Sequence, residues 1–438
     1  MNLTRISLAL AALLFVSAAA LLGGAFRETS AASPALLSAQ AAEDFSAGFS
    51  LNQSTGALVQ QLQSALRADP QDARSATLLG LAYQQRARET GDPGYYTRSE
   101  GLLRRAISLE PEDALALSGL GALALARHEF GEALELGRRA VALAPGSARH
   151  YGVVGDALVE LGRYREAFDA FDTMSRLRPS LSSYARTSYA RELIGDTPGT
   201  IRAMQLAVDA ATSAAEPTAW TRVQLGKLYW NHGRLRAAER EYRIALAVVP
   251  GYPYALDALA LVEAARGRYG RAIALERRAA EAVPIPQYVG TLGDLYAVTG
   301  RTAAAREQYA LVGAIEQLLN ANGVRTDLEL ALFDLDHGIR PSRALARARA
   351  SLAERPSIAG EDVLAWALER NGRCREALPH SRRALRLGTQ DALMFFHRGM
   401  IERCLGQDAQ ARTWFRRALS LNPHFSLLWA PVARQALA

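Results

Sequence analysis

The sequence of 438 residues contains few of the residue types that enzymes most often use for chemistry. It has two cysteines, seven histidines and a single lysine. It lacks three common catalytic or nucleotide-binding motifs: the metalloprotease motif His-Glu-x-x-His, the nucleophile elbow Gly-x-Ser-x-Gly and a phosphate loop ending in Gly-Lys-Ser/Thr. No two histidines stand at the helical spacing of metal ligands. The sequence therefore argues against an enzyme, and we expect no catalytic residue, metal or cofactor.

Arginine carries almost all of the positive charge, and lysine is almost absent. Lys and Arg number 51 against 44 Asp and Glu, which gives a net charge of +7 and a pI of about 9.6. A basic balance of this kind raises nucleic acid as a partner. An arginine bias beside so much alanine and glycine is more typical of a GC-rich genome, however. We therefore expect a bacterial source and no nucleic-acid partner.

Small and large residues recur along the chain in a pattern that the stretch Ala148–Pro179 shows best. There Gly155 and Ala167 are small where two helices cross, and Gly162 suits the turn between them. Closing prolines recur 34 residues apart, at positions 111, 145 and 179 and again at 250 and 284. A glycine is followed 12 residues later by an alanine at 121/133, 155/167, 226/238 and 399/411. The pattern predicts a series of helix–turn–helix units.

A helix–turn–helix period of 34 residues is typical of tetratricopeptide repeats, and the chain resembles that family closely. The best matches are Leu225-Gly226-x-x-Tyr229 with Ala238, Tyr242, Ala245 and Pro250, and Leu292-Gly293-x-x-Tyr296 with Ala305 and Tyr309. The resemblance covers roughly 80% of the chain and implies an all-α fold, a right-handed α-solenoid superhelix of about ten repeats. It implies little about the partner.

The repeats divide the chain into four parts. Residues 1–27 are interpreted as a signal peptide or an N-terminal membrane anchor, because the run Ile6–Phe26 is uncharged and follows Arg5. Residues 28–55 are predicted to be a flexible linker, residues 56–423 the solenoid of a half repeat and about ten repeats, and residues 424–438 a capping helix. Arg5 favours a cytoplasmic amino end. We therefore expect an extracytoplasmic protein that is secreted, periplasm-like, or anchored to the cytoplasmic membrane by residues 6–26.

Four units depart from the regular pattern. The fourth unit of the chain, at about 181–212, is degenerate and one residue short in register. The first full unit carries seven extra residues within Arg86–Tyr95, which we expect to form a surface loop. The second helix of the seventh unit is predicted to run on to Asn322 and Gly323. The eighth unit, at about 325–356, is the most divergent.

The two cysteines fall at related positions in the last two units. Cys374 follows the turn at Gly372 and begins a second helix, while Cys404 ends the next first helix. These helices run side by side in opposite directions, so both cysteines lie at the same end. In an exported protein this placement favours a disulfide between Cys374 and Cys404. Two free thiols are the alternative if the repeats are cytoplasmic.

The family resemblance implies that the first helix of each unit builds a concave groove, and it places fourteen residues there. They are Trp220, Lys227, Trp230, Tyr254, Asp257, Asp294, Glu329, Phe333, Asp336, Asp362, Trp366, Glu369, Phe396 and Met400. Six are carboxylates, whereas arginines collect on second helices, at 277–278, 382–383 and 416–417. We expect about half of the aromatic residues to pack between repeats instead. An acidic, aromatic-lined groove suits an extended peptide with basic and apolar residues, or another cationic ligand.

These observations favour a non-catalytic scaffold outside the cytoplasm that binds protein or peptide partners in envelope assembly or secretion. One alternative is a metal- or small-ligand-binding envelope protein that uses the cluster from Asp334 to His337. Another is an accessory subunit of a separately encoded enzyme. No stretch longer than the linker is left unassigned for a catalytic domain of its own. The sequence leaves the oligomeric state open.

Overall fold

The computed structural model describes residues 54–211 and 215–438, which form 22 α-helices and no β-strand. The signal or anchor at 1–27 and nearly all of the linker at 28–55 lie outside the described residues. In the two described ranges, no helix combines the length and the apolar character needed to cross a membrane.

Ten helix pairs follow one another between an initial helix, α1 (Thr55–Ala68), and a final helix, α22 (Trp429–Gln435). We number the pairs as units one to ten. Their first helices are α2 (Ala73–Thr90), α4 (Ala114–Ala126), α6 (Ala148–Glu160), α8 (Leu181–Leu193), α10 (Ala215–Asn231), α12 (Pro253–Ala265), α14 (Pro286–Val298), α16 (Asp327–Asp336), α18 (Ile358–Arg370) and α20 (Ala392–Cys404). Their second helices are α3 (Gly94–Leu109), α5 (Phe130–Leu143), α7 (Tyr164–Leu177), α9 (Thr197–Ala210), α11 (Leu235–Val248), α13 (Tyr269–Ala282), α15 (Thr302–Ala321), α17 (Pro341–Glu354), α19 (Cys374–Ala384) and α21 (Asp408–Leu421).

The two helices of a unit differ in how much of their surface is buried. α6 buries twelve of its thirteen residues, because it packs against its own second helix and both helices of unit two, and its Asp156 pairs with Arg186 of unit four. α7 buries only one stripe, formed by Tyr164, Ala167, Phe171 and its neighbours, and exposes charged residues on the other side. The second helices therefore form the outer layer of the solenoid.

Capping side chains begin helices, and residues with positive φ end them. Asp113 caps α4 through a side-chain oxygen that accepts from the backbone N–H groups of Leu115 and Ala116, at 2.8 and 2.9 Å. Gly162 ends α6 with φ of 69°, a conformation that costs a glycine little. His128 takes the equivalent position in unit two with φ of 62°, and its ring nitrogen Nδ1 lies 2.5 Å from the carbonyl oxygen of Arg325.

The small residues of the repeat let the paired helices approach closely. A methyl group on Gly399 would come within 2.6 Å of the Phe415 ring on the partner helix. The same relation joins Gly155 to Phe171, Gly226 to Tyr242, and Gly293 to Tyr309. The ring of the second helix therefore lies directly over the glycine of the first.

Units one, seven and eight contain helices of unusual length. The insertion of unit one does not form a surface loop, so that prediction was wrong. Instead it lengthens α2 to 18 residues and α3 to 16, where α4 has 13. The prediction for unit seven is confirmed, because α15 continues to Ala321 and is capped by Asn322. In unit eight, α16 has only ten residues.

The solenoid also contacts itself over long distances in sequence, which the repeat pattern did not reveal. The backbone N–H of Ile358 donates to the Tyr164 hydroxyl at 2.7 Å, and the Thr389 hydroxyl donates to the carbonyl oxygen of Leu193 at 2.5 Å. Arg325 donates its backbone N–H to the carbonyl oxygen of Arg127 at 3.2 Å. Each contact joins the turn of one unit to the start of the unit six places later. We call this contact zone the seam.

A buried arginine lies at the centre of the seam. The Arg355 guanidinium pairs with Glu160 of unit three and, at 2.7 Å, with Glu329 of unit eight. The three side chains are at most 6% exposed. Its carbon Cζ also lies 5.1 Å from the centroid of the Phe130 ring. One cation therefore links the two ends of a six-unit span.

Candidate functional site

A cleft of about 230 Å³ opens on the wall that the first helices of units five to eight build. Residues 424–434, which belong to the C-terminal segment 424–438, form its opposite side. Seven of the fourteen residues predicted for the groove line this cleft. They are Lys227, Trp230, Asp257, Asp294, Glu329, Phe333 and Asp336. They come together because α10, α12, α14 and α16 each turn the same helix face inward.

The other seven predicted groove residues do not line the cleft. They are Trp220, Tyr254, Asp362, Trp366, Glu369, Phe396 and Met400. Trp366 and Phe396 are fully buried and belong to the core of units eight to ten. Tyr254 meets Tyr288 edge-on in the packing between units six and seven, with ring centroids 6.2 Å apart. Asp362 is 5% exposed and faces Nδ1 of His397 at 2.9 Å.

Three cleft carboxylates already have donors from the chain itself. Glu329 accepts from Arg355, and Asp336 accepts from the indole N–H groups of Trp366 and Trp429 at 2.9 and 3.0 Å. Burial raises the pKa of Glu329, but His128 and Arg355 outweigh burial and hold that pKa below its ordinary value. These two carboxylates therefore stabilise the fold around the cleft.

Asp294, the third of these carboxylates, binds a tyrosine hydroxyl and a histidine ring at the cleft. It accepts from the Tyr309 hydroxyl at 2.8 Å and lies 2.7 Å from Nε2 of His337. Burial lowers the pKa of His337, but the hydrogen bond and charge of Asp294 raise it above the ordinary histidine value. The Asp294 carboxylate thus favours the charged form of the His337 imidazole.

The cluster Asp334–His337, considered above as a metal site, does not converge. Asp334 faces Arg340 and Arg347 at 3.5 and 3.9 Å, whereas Asp336 and His337 face the indoles and Asp294. Successive helical residues point in different directions, which explains the divergence. Across residues 54–211 and 215–438, no group of three or more ligating side chains could hold a metal ion.

One carboxyl pair at the cleft, Asp257 and Glu276, has a single donor from outside the pair among the described residues. Asp257 is 2% exposed; its Oδ2 accepts from Nε2 of Gln287 at 3.2 Å, while its Oδ1 has no donor from outside the pair in the described chain. Neither carboxyl oxygen of the fully buried Glu276 has such a donor among these residues either. Burial raises the pKa of Asp257 to about 6, against the charge of Lys227, and raises that of Glu276 well above the ordinary value.

Glu276 was missed by sequence reasoning, although the repeat register contains a signal for it. It follows Ala272 by four residues, the spacing at which Phe171 follows Ala167 and Tyr242 follows Ala238. A carboxylate therefore stands where other units place a ring. A charged residue at a core position of a regular repeat marks a site that packing alone does not explain.

The C-terminal segment contributes more than a cap on unit ten. Leu427 packs against the cluster formed by α12, α13 and α14, and Trp429 stacks on Phe396 with ring centroids 5.5 Å apart. The segment thus crosses from unit ten to units six and seven. Sequence reasoning predicted a capping helix here but not that it would close one side of the groove.

The six arginines expected on second helices are exposed there, at positions 277, 278, 382, 383, 416 and 417. The cationic surface of the protein is therefore separate from the cleft.

The two cysteines form a disulfide in the structure. The Cα atoms of Cys374 and Cys404 lie 6.0 Å apart, at neighbouring ends of α19 and α20. The bond fastens unit nine to unit ten, beside the core on which the C-terminal segment packs.

The architecture and cleft define a helical-repeat solenoid with an inner binding surface. The tetratricopeptide repeat profile matches the sequence at residues 85–148, 223–284 and 363–424. These three regions carry tetratricopeptide repeats, and the fold is an all-α solenoid of helix–turn–helix repeats. No curated protein matches it.

Three solved structures are similar to parts or most of the chain. The thermophilic tetratricopeptide repeat protein TTC0263 of Thermus thermophilus is 25% identical, with 46% of this chain and 99% of that one covered and a TM-score of 0.38. The human IFIT1 dimer with PPP-AAAA is 15% identical over 72% and 73% of the two chains, with a TM-score of 0.47. The Cut9–Hcn1 hetero-tetramer of the APC/C is 14% identical over 92% and 96%, with a TM-score of 0.37.

Proposed function

We propose that this protein is a non-catalytic scaffold that binds a segment of a protein or peptide partner in the cleft. The main support for this proposal is that seven predicted groove residues, from four successive units, line one open cavity. Tetratricopeptide repeat arrays typically serve protein–protein interaction, because stacked units present an extended concave surface. A cleft with both carboxylates and aromatic rings suits a segment that carries basic and apolar side chains.

The proposal includes a place outside the cytoplasm and a role in envelope assembly or secretion. The uncharged run Ile6–Phe26 after Arg5 supports export. The disulfide between Cys374 and Cys404 supports an oxidising compartment, since such bonds are rare in the cytosol. Separation of reduced from oxidised cysteines in protein isolated from its native cell tests this placement, and alkylation of both thiols there would argue against it.

A cleft-filling variant tests the binding surface. Thr291 lines the cleft and is partly exposed, so Thr291→Trp places an indole inside it. We expect peptides selected by the full-length protein from a random library to bind this variant at least about tenfold more weakly, a loss of about 1.4 kcal/mol. Isothermal titration measures the change.

A matched variant controls for the bulk of the new ring. Thr413 lies on the exposed side of α21, away from the cleft, and Thr413→Trp adds the same indole there. We expect it to bind the selected peptides like the wild type. Equal affinity of Thr291→Trp and Thr413→Trp would show that the peptides bind elsewhere.

A further inference from the structure

Unit six differs from its neighbours at the point where its two helices cross. In units three, five and ten, an aromatic ring of the second helix covers a glycine of the first. In unit six the equivalent residues are Glu276 and Ala260, and both are fully buried. A carboxyl group has thus replaced a ring inside the repeat core, where an unpaired charge is costly.

Asp257 brings a second carboxyl group to the same place and connects it to the cleft. It lies one helical turn before Ala260 on α12 and forms part of the cleft wall. Among the described residues, no group outside the pair donates to three of the four oxygens of Asp257 and Glu276, which hydrogen-bond to each other. Lys227 lines the same cleft, and its charge acts on Asp257, but within the described residues it forms no ion pair with either carboxylate. The pair is buried, acidic and open to a ligand on one side only.

The rest of the cleft narrows the chemistry of that ligand. Trp230, Tyr269 and Phe333 line it with aromatic rings, whose faces attract cations. An anion would meet the carboxyl pair unfavourably, and an apolar side chain would leave its oxygens without donors. A guanidinium or an ammonium supplies both the donors and the opposite charge.

We propose that the cleft accepts the cationic side chain of an arginine or a lysine of the partner segment and that Asp257 is the carboxylate that pairs with it. This inference rests on the proposed function and adds the chemical class of the anchoring residue. The ligand reaches Asp257 from the cleft side, while Glu276 lies behind it in the core.

Binding of a cation here is coupled to release of a proton. Burial raises the pKa of both carboxyl groups, and the charge of Asp257 raises that of Glu276 further, whereas the hydrogen bond with Glu276 lowers that of Asp257. The proton of the pair therefore lies on Glu276 and is shared with Asp257. An arriving cation takes the place of that proton, which leaves for the solvent. Other charged or titratable groups that face the pair or the cleft are Lys227, Tyr242, Tyr269, Asp294, Glu329, Asp336, His337, His424 and Arg434. We expect affinity to fall as the pH drops below about 6.

Selection from a random peptide library on the full-length protein tests the inference. We expect selected peptides to contain a lysine or an arginine, to lose at least about tenfold in affinity for Asp257→Asn, and to lose as much when the arginine is replaced by citrulline. The exposed Asp169→Asn on α7 is the matched control and should bind like the wild type. Selected peptides that need no basic residue, or that bind Asp257→Asn equally, overturn this inference alone. A library that yields no binding peptide overturns the proposed function as well.

Glu276→Gln provides a second readout that does not depend on Asp257→Asn folding. The amide cannot share a proton with Asp257 but can donate to it, so the cation site is retained. We expect this variant to bind the basic peptide at about pH 6 at least as tightly as the wild type. Titration in buffers of different ionisation enthalpy should show less proton release from Glu276→Gln than from the wild type, because only Asp257 can then lose a proton. Equal proton release from the two proteins contradicts the shared-proton account.

Discussion

A buried histidine–aspartate pair, His397 with Asp362, stabilises the contact between units nine and ten. His397 is fully buried, faces Asp362 at 2.9 Å, and stacks on Trp366 with ring centroids 4.5 Å apart and planes 13° apart. Burial lowers the pKa of His397, but Asp362, Asp336 and Asp391 outweigh burial and raise it above 6.5. The charged form is therefore favoured in the folded protein.

The sign of this pKa shift predicts how stability depends on pH. Because the folded pKa is raised, the stabilisation by His397 is fully present below about pH 6.5 and is lost as the pH rises through the folded value. We expect His397→Gln to lose about 1.5–3 kcal/mol of unfolding free energy at about pH 6 and less at about pH 9. Urea unfolding at the two pH values measures this. A loss that does not shrink at the higher pH would mean that the histidine is neutral in the fold.

At the scale of the element, the helix pair depends on a glycine beneath a ring. Alanine is the better helix former by about 1 kcal/mol, so glycine is retained in α6 for another reason. The Phe171 ring occupies the space where a Cβ on Gly155 would lie. Local helix propensity and packing between helices therefore oppose each other here, and packing determines the residue.

Gly155→Ala should show that packing outweighs propensity. We expect a net destabilisation of about 1–2 kcal/mol, because the new methyl group displaces the Phe171 ring. Gly313 is the matched control, since it lies inside α15 with no atom within 4 Å of a built Cβ. Gly313→Ala should stabilise by about 0.5–1 kcal/mol. Thermal unfolding compares the two, and changes of the same sign would argue against this account of the crossing.

At the scale of the whole molecule, the seam joins units that are six places apart. A solenoid without such contacts is held together only by neighbouring units. Here the guanidinium of Arg355, the backbone N–H of Ile358 and the hydroxyl of Thr389 join distant units as well. The seam therefore makes the stability of units two to four depend on that of units eight to ten.

Arg355→Ala tests this dependence. Removing the cation leaves Glu160 and Glu329 buried without their main partner, and we expect a loss of about 3–5 kcal/mol. We also expect faster hydrogen exchange at Ile358, whose N–H donates across the seam. The exposed pair of Arg373 with Glu376 lies outside the seam and is the control, and Arg373→Ala should cost only a small fraction of the loss expected for Arg355→Ala. Equal losses in the two variants would show that the seam contributes little.

Much of the fold could be predicted from the sequence because each unit is local and recurrent. The glycine–alanine spacing and the closing prolines place helices and turns to within a few residues. The insertion at Arg86–Tyr95 was harder, since extra residues in a turn can either form a loop or extend the flanking helices. The structure extends the helices, and Tyr83 and Tyr95 pack across the new turn with ring centroids 5.4 Å apart.

The cleft could be predicted only in part. The register of the first helices placed Asp257 and Asp294 on the inner wall, since that register is a property of each helix. It could not separate Trp366, which is fully buried, from Trp230, which lines the cleft. The difference depends on which residues of other units approach each ring.

The sequence by itself determined the class of protein, the length of the repeat and the helix face that turns inward, because small, large and turn residues act within about 34 residues. Only the tertiary structure decided which part of the groove stays open. Small rotations between units accumulate until unit eight meets unit two, and the C-terminal segment then covers units six and seven. That same assembly leaves Asp257 and Glu276 at the edge of the remaining cleft with only Gln287 as an outside donor among the described residues.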